Sequence, residues 1–156
     1  MRHFMLLTVF ASAMFSHSAY AFGDFPLASC KSNNGTVTEK SGVNTEHALI
    51  KGMITKADIQ EYCDRDPGGS TVAYGGKLTV TQCVNSMYQR LAKDEMYAVA
   101  NCKTGHLKFR YGTSPEKSVK FPLHRDADKS CASGMPPIIQ QFQLLCPTAA
   151  AKWKVQ

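Results

Sequence analysis

The chain has 156 residues and six cysteines, with 18 Lys and Arg against 12 Asp and Glu for a net charge of +6. That length is one domain's worth, enough for a modest core. The cysteines form no Cys-x-x-Cys or Cys-x-x-Cys-His, and there is no His-x-x-x-His, so a zinc site, a thioredoxin-like site and attached haem are all without support.

The chain opens with Met1-Arg2-His3, a short positive start, followed by an uncharged apolar run from Phe4 to Phe15. Ala19-Tyr20-Ala21 ends it with the small-x-small pattern of a signal peptidase site. Residues 1–21 therefore read as a removed export signal. The apolar run is too short to span a membrane comfortably, so no transmembrane segment is expected after its removal. Export places the protein in the periplasm or outside the cell, where an even cysteine count reads as a disulfide framework. Leu27-Ala28-Ser29-Cys30 also fits the box before a lipidated cysteine, which would anchor the chain at Cys30 and strand an odd cysteine. Ser16, His17, Ser18, Gly23 and Asp24 separate that box from the apolar run it normally abuts, which disfavours the lipid anchor.

Residues 22–42, rich in Gly, Ser and Asn, read as an irregular lead-in, and residues 43–156 as a single disulfide-stapled domain. Residues 45–63 read as helix in two pieces. Asn44 caps the first, and Gly52 stands where it stops. Thr55 with Asp58 forms a capping box for the second, and Ile59, Tyr62 and Cys63 share one face of it. Asp66-Pro67-Gly68-Gly69 terminates that piece, and Tyr74-Gly75-Gly76-Lys77 makes a further turn. Thr79-x-x-Gln82 then opens the main helix, whose stripe is Val80, Cys83, Val84, Met87, Tyr88 and Leu91.

Beyond Lys93-Asp94-Glu95 the hydrophobic period changes to two. It predicts strands over Met96–Cys102, His106–Tyr111, Lys117–Leu123 and Ile138–Cys146, with Thr104-Gly105 joining the first two as a hairpin. The expected fold is α+β: a preceding helical segment and one main amphipathic helix packed on a three- to four-stranded antiparallel sheet, with three disulfides. A helix from Val80 to Lys93 is about 20 Å long. A strand from Met96 to Cys102 spans about 23 Å. If that strand runs back along the helix, Cys83 meets Cys102, and closing the loop contributes about 3 kcal/mol. Spacing alone leaves the other pairings open.

No catalytic residue, metal or cofactor is expected. Asp64-x-Asp66 and Asp126-x-Asp128 place Gly75 and Pro137 where a calcium loop needs a carboxylate, so both pairs are assigned to turns. His124-Arg125-Asp126 lacks the companions of a kinase loop, and no Gly-x-Ser-x-Gly elbow exists. Ser130, Ser133, His106, His124 and Asp126 would form a triad only if the fold gathered them.

The charge is uneven: seven bases stand against three acids between Lys103 and Lys129. Period two puts Leu107, Phe109 and Tyr111 on one side of a strand and His106, Lys108 and Arg110 on the other. Lys120 joins that basic side if its strand pairs alongside. These four form the candidate ligand-binding surface, suited to an anionic envelope polymer or an acidic protein partner; nucleic acid is not expected outside the cell. The expected function is an exported binding or accessory module. The alternative is a small secreted hydrolase or enzyme inhibitor acting through the loop Ser130–Pro137, which Cys131 pins.

Several stretches together resemble a cysteine-containing module of exported proteins in Gram-negative, especially rhizobia-like, bacteria. They are Tyr62-Cys63-Asp64-Arg65-Asp66-Pro67-Gly68-Gly69, Val72-Ala73-Tyr74-Gly75-Gly76-Lys77, Gln82-Cys83-Val84, Ala100-Asn101-Cys102 and Leu145-Cys146-Pro147. The likeness covers most of residues 55–147 and carries no activity with it. The module's pattern holds Cys63, Cys83, Cys102 and Cys146 and lacks Cys30 and Cys131. The resemblance thus implies Cys63–Cys146 beside Cys83–Cys102, with Cys30–Cys131 as an extra pair. A module found alone or appended to larger proteins fits a binding role better than an enzymatic one.

Overall fold

A computed structural model describes residues 23–27, 34–66, 68–91, 95–123 and 137–155. The expected export signal, Cys30 and residues 124–136, with His124 and Cys131 among them, lie outside these residues. The fold is α+β. Strands β1 (Asp24–Pro26), β2 (Asn34–Ser41), β3 (Ala48–Met53), β4 (Met96–Asn101), β5 (His106–Tyr111) and β6 (Lys117–Lys120) form a six-stranded antiparallel sheet in sequence order. Helices α1 (Lys56–Arg65) and α2 (Val80–Leu91) fall between β3 and β4, and α3 (Pro137–Leu145) and α4 (Pro147–Trp153) follow β6.

The sheet is wider than expected because two stretches were misread. The lead-in 22–42 was expected to be irregular, yet it holds β1 and β2. Phe25 of β1 is fully buried, and the alternation in β2 sends Gly35 and Val37 inward. The first expected helical piece is instead β3, with Ala48, Ile50 and Gly52 buried and Lys51 and Met53 exposed. Gly52 is no helix stop. A Cβ there would fall 2.5 Å from the Phe25 ring, so its bare backbone is the floor on which β1 packs. The second piece forms as expected: Thr55 caps α1, and Asp58 returns the bond to the Thr55 N–H at 2.7 Å. Thr79 and Gln82 exchange the same pair of bonds, at 2.9 and 3.2 Å, at the start of α2. The Asp66 carboxylate ties the turn after α1 by accepting the Thr71 N–H.

The helix that covers the sheet is not the one expected. The stretch Ile138–Cys146, expected to be a strand, is mostly α3, and α3 lies against β1, β3 and β4. Ile139, Phe142 and Leu145 are buried at helical spacing, and Phe121 stacks on Phe142 with ring centroids 4.2 Å apart. Gln141 is fully buried; its amide donates to the Pro26 carbonyl at 2.7 Å and to the Tyr111 hydroxyl at 2.8 Å. α2 turns its stripe on α1, where Cys83 and Val84 meet Ile59 and Cys63 in a second small core. Ile54 touches both cores.

That arrangement corrects the disulfides. Cys63 pairs with Cys83, and Cys102 with Cys146. The expected Cys83–Cys102 bond fails because α2 packs on α1 while β4 lies between β3 and β5. The implied Cys63–Cys146 bond fails with it, since the two residues belong to different cores. Cys30–Cys131 lies outside the described residues.

Asn44 has a role different from the one its position suggested. It sits in the left-handed region with φ 65°, and its N–H donates to the Leu145 carbonyl at 2.8 Å. Its side-chain oxygen accepts the Thr148 N–H at 3.0 Å. It therefore caps a helix, but the helix is α4, far along the chain, where the N-cap residue Cys146 supplies no side-chain bond.

Candidate functional site

α3 lies against one face of the sheet, and the side chains of the other face, exposed or half-buried, form a lattice set by register. In β5 the alternation is as expected, with Leu107 and Phe109 buried and His106 and Lys108 exposed. Register places His106 directly opposite Lys120 across β5 and β6, so Lys120 does share the basic face. Lys108 lies opposite Ser118 on one side and Val99 on the other. Arg110 lies opposite Tyr97, which in turn lies opposite Lys51, and Lys51 opposite Glu39.

Local contacts order part of this lattice. The Arg110 guanidinium sits 5.0 Å from the centre of the Tyr97 ring, a cation over an aromatic face. The Tyr97 hydroxyl donates to Glu116 at 2.7 Å, and the other oxygen of that carboxylate lies 3.4 Å from the Lys108 ammonium. The hydrogen bond pushes the Tyr97 phenol up and holds the Glu116 carboxyl below its ordinary range. Further along, Lys51 pairs with Glu39 at 2.7 Å, which raises the Lys51 ammonium. The described face thus carries the cations Lys51, Lys108, Arg110 and Lys120 with His106, against the carboxylates Glu39, Glu95 and Glu116 and, at the β1 edge, Asp24. Among the described residues, no carboxylate lies within ion-pair distance of Lys120 or Arg110.

The sequence reading puts His106, Lys108, Arg110 and Lys120 on one face, which the register bears out as geometry, and does not include Lys51, Tyr97 and Glu116, which adjoin them there. Lys51 was hidden by the helical reading of its strand. Tyr97 was visible as the outward partner of Met96 in a period-two strand. Glu116 stands before β6 and becomes a partner only through tertiary contact.

Two clefts lie away from this face. One of about 320 Å³ is lined by Asn44, Cys102, Lys103, Thr148, Lys152 and Trp153. Another of about 80 Å³, lined chiefly by Leu27, Ile54, Ile59, Tyr62, Met87 and Leu91, marks the seam between the helical pair and the sheet. Among the described residues, no group of three or more His, Cys, Asp or Glu side chains is placed to hold a metal ion. Nor is any helix among them long and apolar enough to cross a membrane. Cys131, Ser130 and Ser133, on which the hydrolase or inhibitor alternative rests, lie outside the described residues. No protein-family model, characterised protein or solved structure matches the chain.

Proposed function

We propose that this chain is an exported binding module whose open sheet face holds an anionic partner. The observation that carries the reading is the register of β5 and β6, which sets His106, Lys108, Arg110 and Lys120 side by side on the face that α3 leaves uncovered. On β5 and β6 the fixed cations Lys108, Arg110 and Lys120 outnumber the single carboxylate Glu116 beside them, and such a local positive excess binds anions with a strength that salt reduces. Two disulfides suit an oxidising compartment. The position of β1 also fits a signal ending at Ala21 better than processing at Cys30. Cleavage before Cys30 would remove β1 and with it Phe25, which is fully buried. The partner class is an envelope polyanion or an acidic protein.

Retention on a sulfated or phosphorylated matrix tests the reading. The parent should elute only as salt rises, and Lys108→Ser with Arg110→Ser should elute at markedly lower salt. Lys108 is exposed and Arg110 half-buried over Tyr97, so the pair should cost no more than about 1–2 kcal/mol and the double variant should still unfold in one cooperative transition. Equal retention of parent and double variant would sink the proposal.

A further inference from the structure

Strand β6 is the last of the described sheet, and its outer edge has a defined phase. The Phe121 N–H donates to the Gly105 carbonyl at 2.8 Å, and the Gly112 N–H to the Glu95 carbonyl at 3.1 Å. Each of these bonds joins residues that continue the β5–β6 and β4–β5 registers. In an antiparallel ladder, bonded pairs alternate with unbonded ones. Both bonds therefore give the same answer: Leu107–Val119 and Phe109–Lys117 are the bonded pairs, while Lys108–Ser118 and His106–Lys120 are the unbonded ones. The backbone N–H and C=O of Ser118 and Lys120 consequently point away from β5. Among the described residues nothing pairs with them, and the next position of that phase, Pro122, has no N–H and ends the ladder.

Such an edge invites another strand, and its lysines select which. A second copy pairing antiparallel through the same outward groups would set Lys120 against Lys120, against Ser118, or against Glu116, whose carboxylate already bonds Tyr97 and Lys108, so it offers Lys120 no unengaged carboxylate. An acidic strand meets the opposite situation. Its outward carboxylates would lie beside Lys120, which has no described carboxylate at ion-pair distance, and one strand away from His106.

We propose that the β6 edge takes an extended acidic peptide as a seventh strand, its backbone bonded to Ser118 and Lys120 and its carboxylates on the basic face. This rests on the reading of that face as an anion-binding surface and narrows the partner to a protein segment.

The probe is a blocked eight-residue peptide of alternating Glu and Thr, titrated against the full chain. It should bind, and its Gln-for-Glu counterpart should bind at least tenfold more weakly. Two peptides N-methylated on alternate amides, one on each set, keep the charge but remove one row of donors. One set should lose at least tenfold and the other should bind nearly as the parent peptide does. Ser118→Pro deletes an outward N–H without touching a β5–β6 bond; it should weaken the peptide at least tenfold while retention on the polyanion matrix stays unchanged. Equal binding by both methylated peptides would overturn the inference and leave the face reading standing. Retention of polyanions with no peptide binding would overturn it too, as would self-association through β6 in place of peptide binding.

Discussion

Asn44 joins the 42–47 loop to the end of the chain, and its replacement separates two energetic terms. Its side-chain oxygen accepts the Thr148 N–H, and its backbone holds φ at 65°. Asn44→Ala removes the cap, which typically costs about 1 kcal/mol. The same change forces a residue poorly suited to the left-handed region to adopt it, at a further cost of about 1 kcal/mol. The expected loss for Ala is thus about 2 kcal/mol, or a fall of about 7 °C in Tm for a domain of this size. Asn44→Gly loses the cap but not the conformation, so it should cost about half as much. Asn44→Asp keeps the acceptor and adds a negative charge near the α4 N-terminus, so it should stay within about 0.5 kcal/mol of the parent. Urea unfolding with the disulfides intact, followed by the fluorescence of the single tryptophan, Trp153, reads all three variants. If Ala and Gly cost the same, the left-handed term is absent; if Ala costs under about 0.5 kcal/mol, the cap itself contributes nothing.

The remaining predictions concern the staples and the Tyr97 network. Replacing Cys102 and Cys146 by Ala opens a loop of 44 residues, and replacing Cys63 and Cys83 one of 20. Chain entropy gives about 4 and about 3.3 kcal/mol for the two, so denaturant midpoints should fall further for the first pair; the reverse order would contradict the loop argument. Glu116→Gln should move the Tyr97 phenol back down toward about 10, readable in its ring resonances during a pH titration. Because the folded Tyr97 value is raised, the Tyr97–Glu116 bond contributes below the ordinary tyrosine value and is lost as pH rises through the folded one. The lowered Glu116 carboxyl works in the other direction. Its contribution is present above the ordinary carboxylate range and is lost as pH falls through the folded value.

What could be read from the sequence follows the strength of local signals. The α1 and α2 starts were legible because each capping box is written in four adjacent residues, and the β4–β5 hairpin because both strands alternate cleanly around a turn. The face of β5 was legible for the same reason. α3 was not, because Gln141, polar by type, is a buried anchor to β1; with it counted inward, the run's period shifts from two to helical. β3 was obscured by apolar Leu49 and Met53 on its outer side and by Gly52 on its inner one. The cysteine pairing failed because it assumed α2 packs on the sheet, and nothing local says which of two helices supplies that cover. Asn44 shows the same limit: its chemistry as a cap was plain, but its helix was a tertiary fact.

The placement of α1 and α2 bears on how this protein could change over generations. β3 ends and β4 begins side by side, with Gly52 in register with Met96, so residues 54–95 leave and re-enter the sheet at neighbouring points. The six strands would make a plain meander if a tight turn replaced that excursion. The excursion carries its own small core and its own disulfide, and its seam with the sheet includes the Thr36–Asp58 hydrogen bond and Ile54. Mutations inside it can accumulate with little strain reaching β5 and β6. Its outward residues Val72 and Tyr74, 63% and 53% exposed, are free to vary while the sheet beneath keeps its register. One chain thus offers a surface held by the meander and another free to diversify.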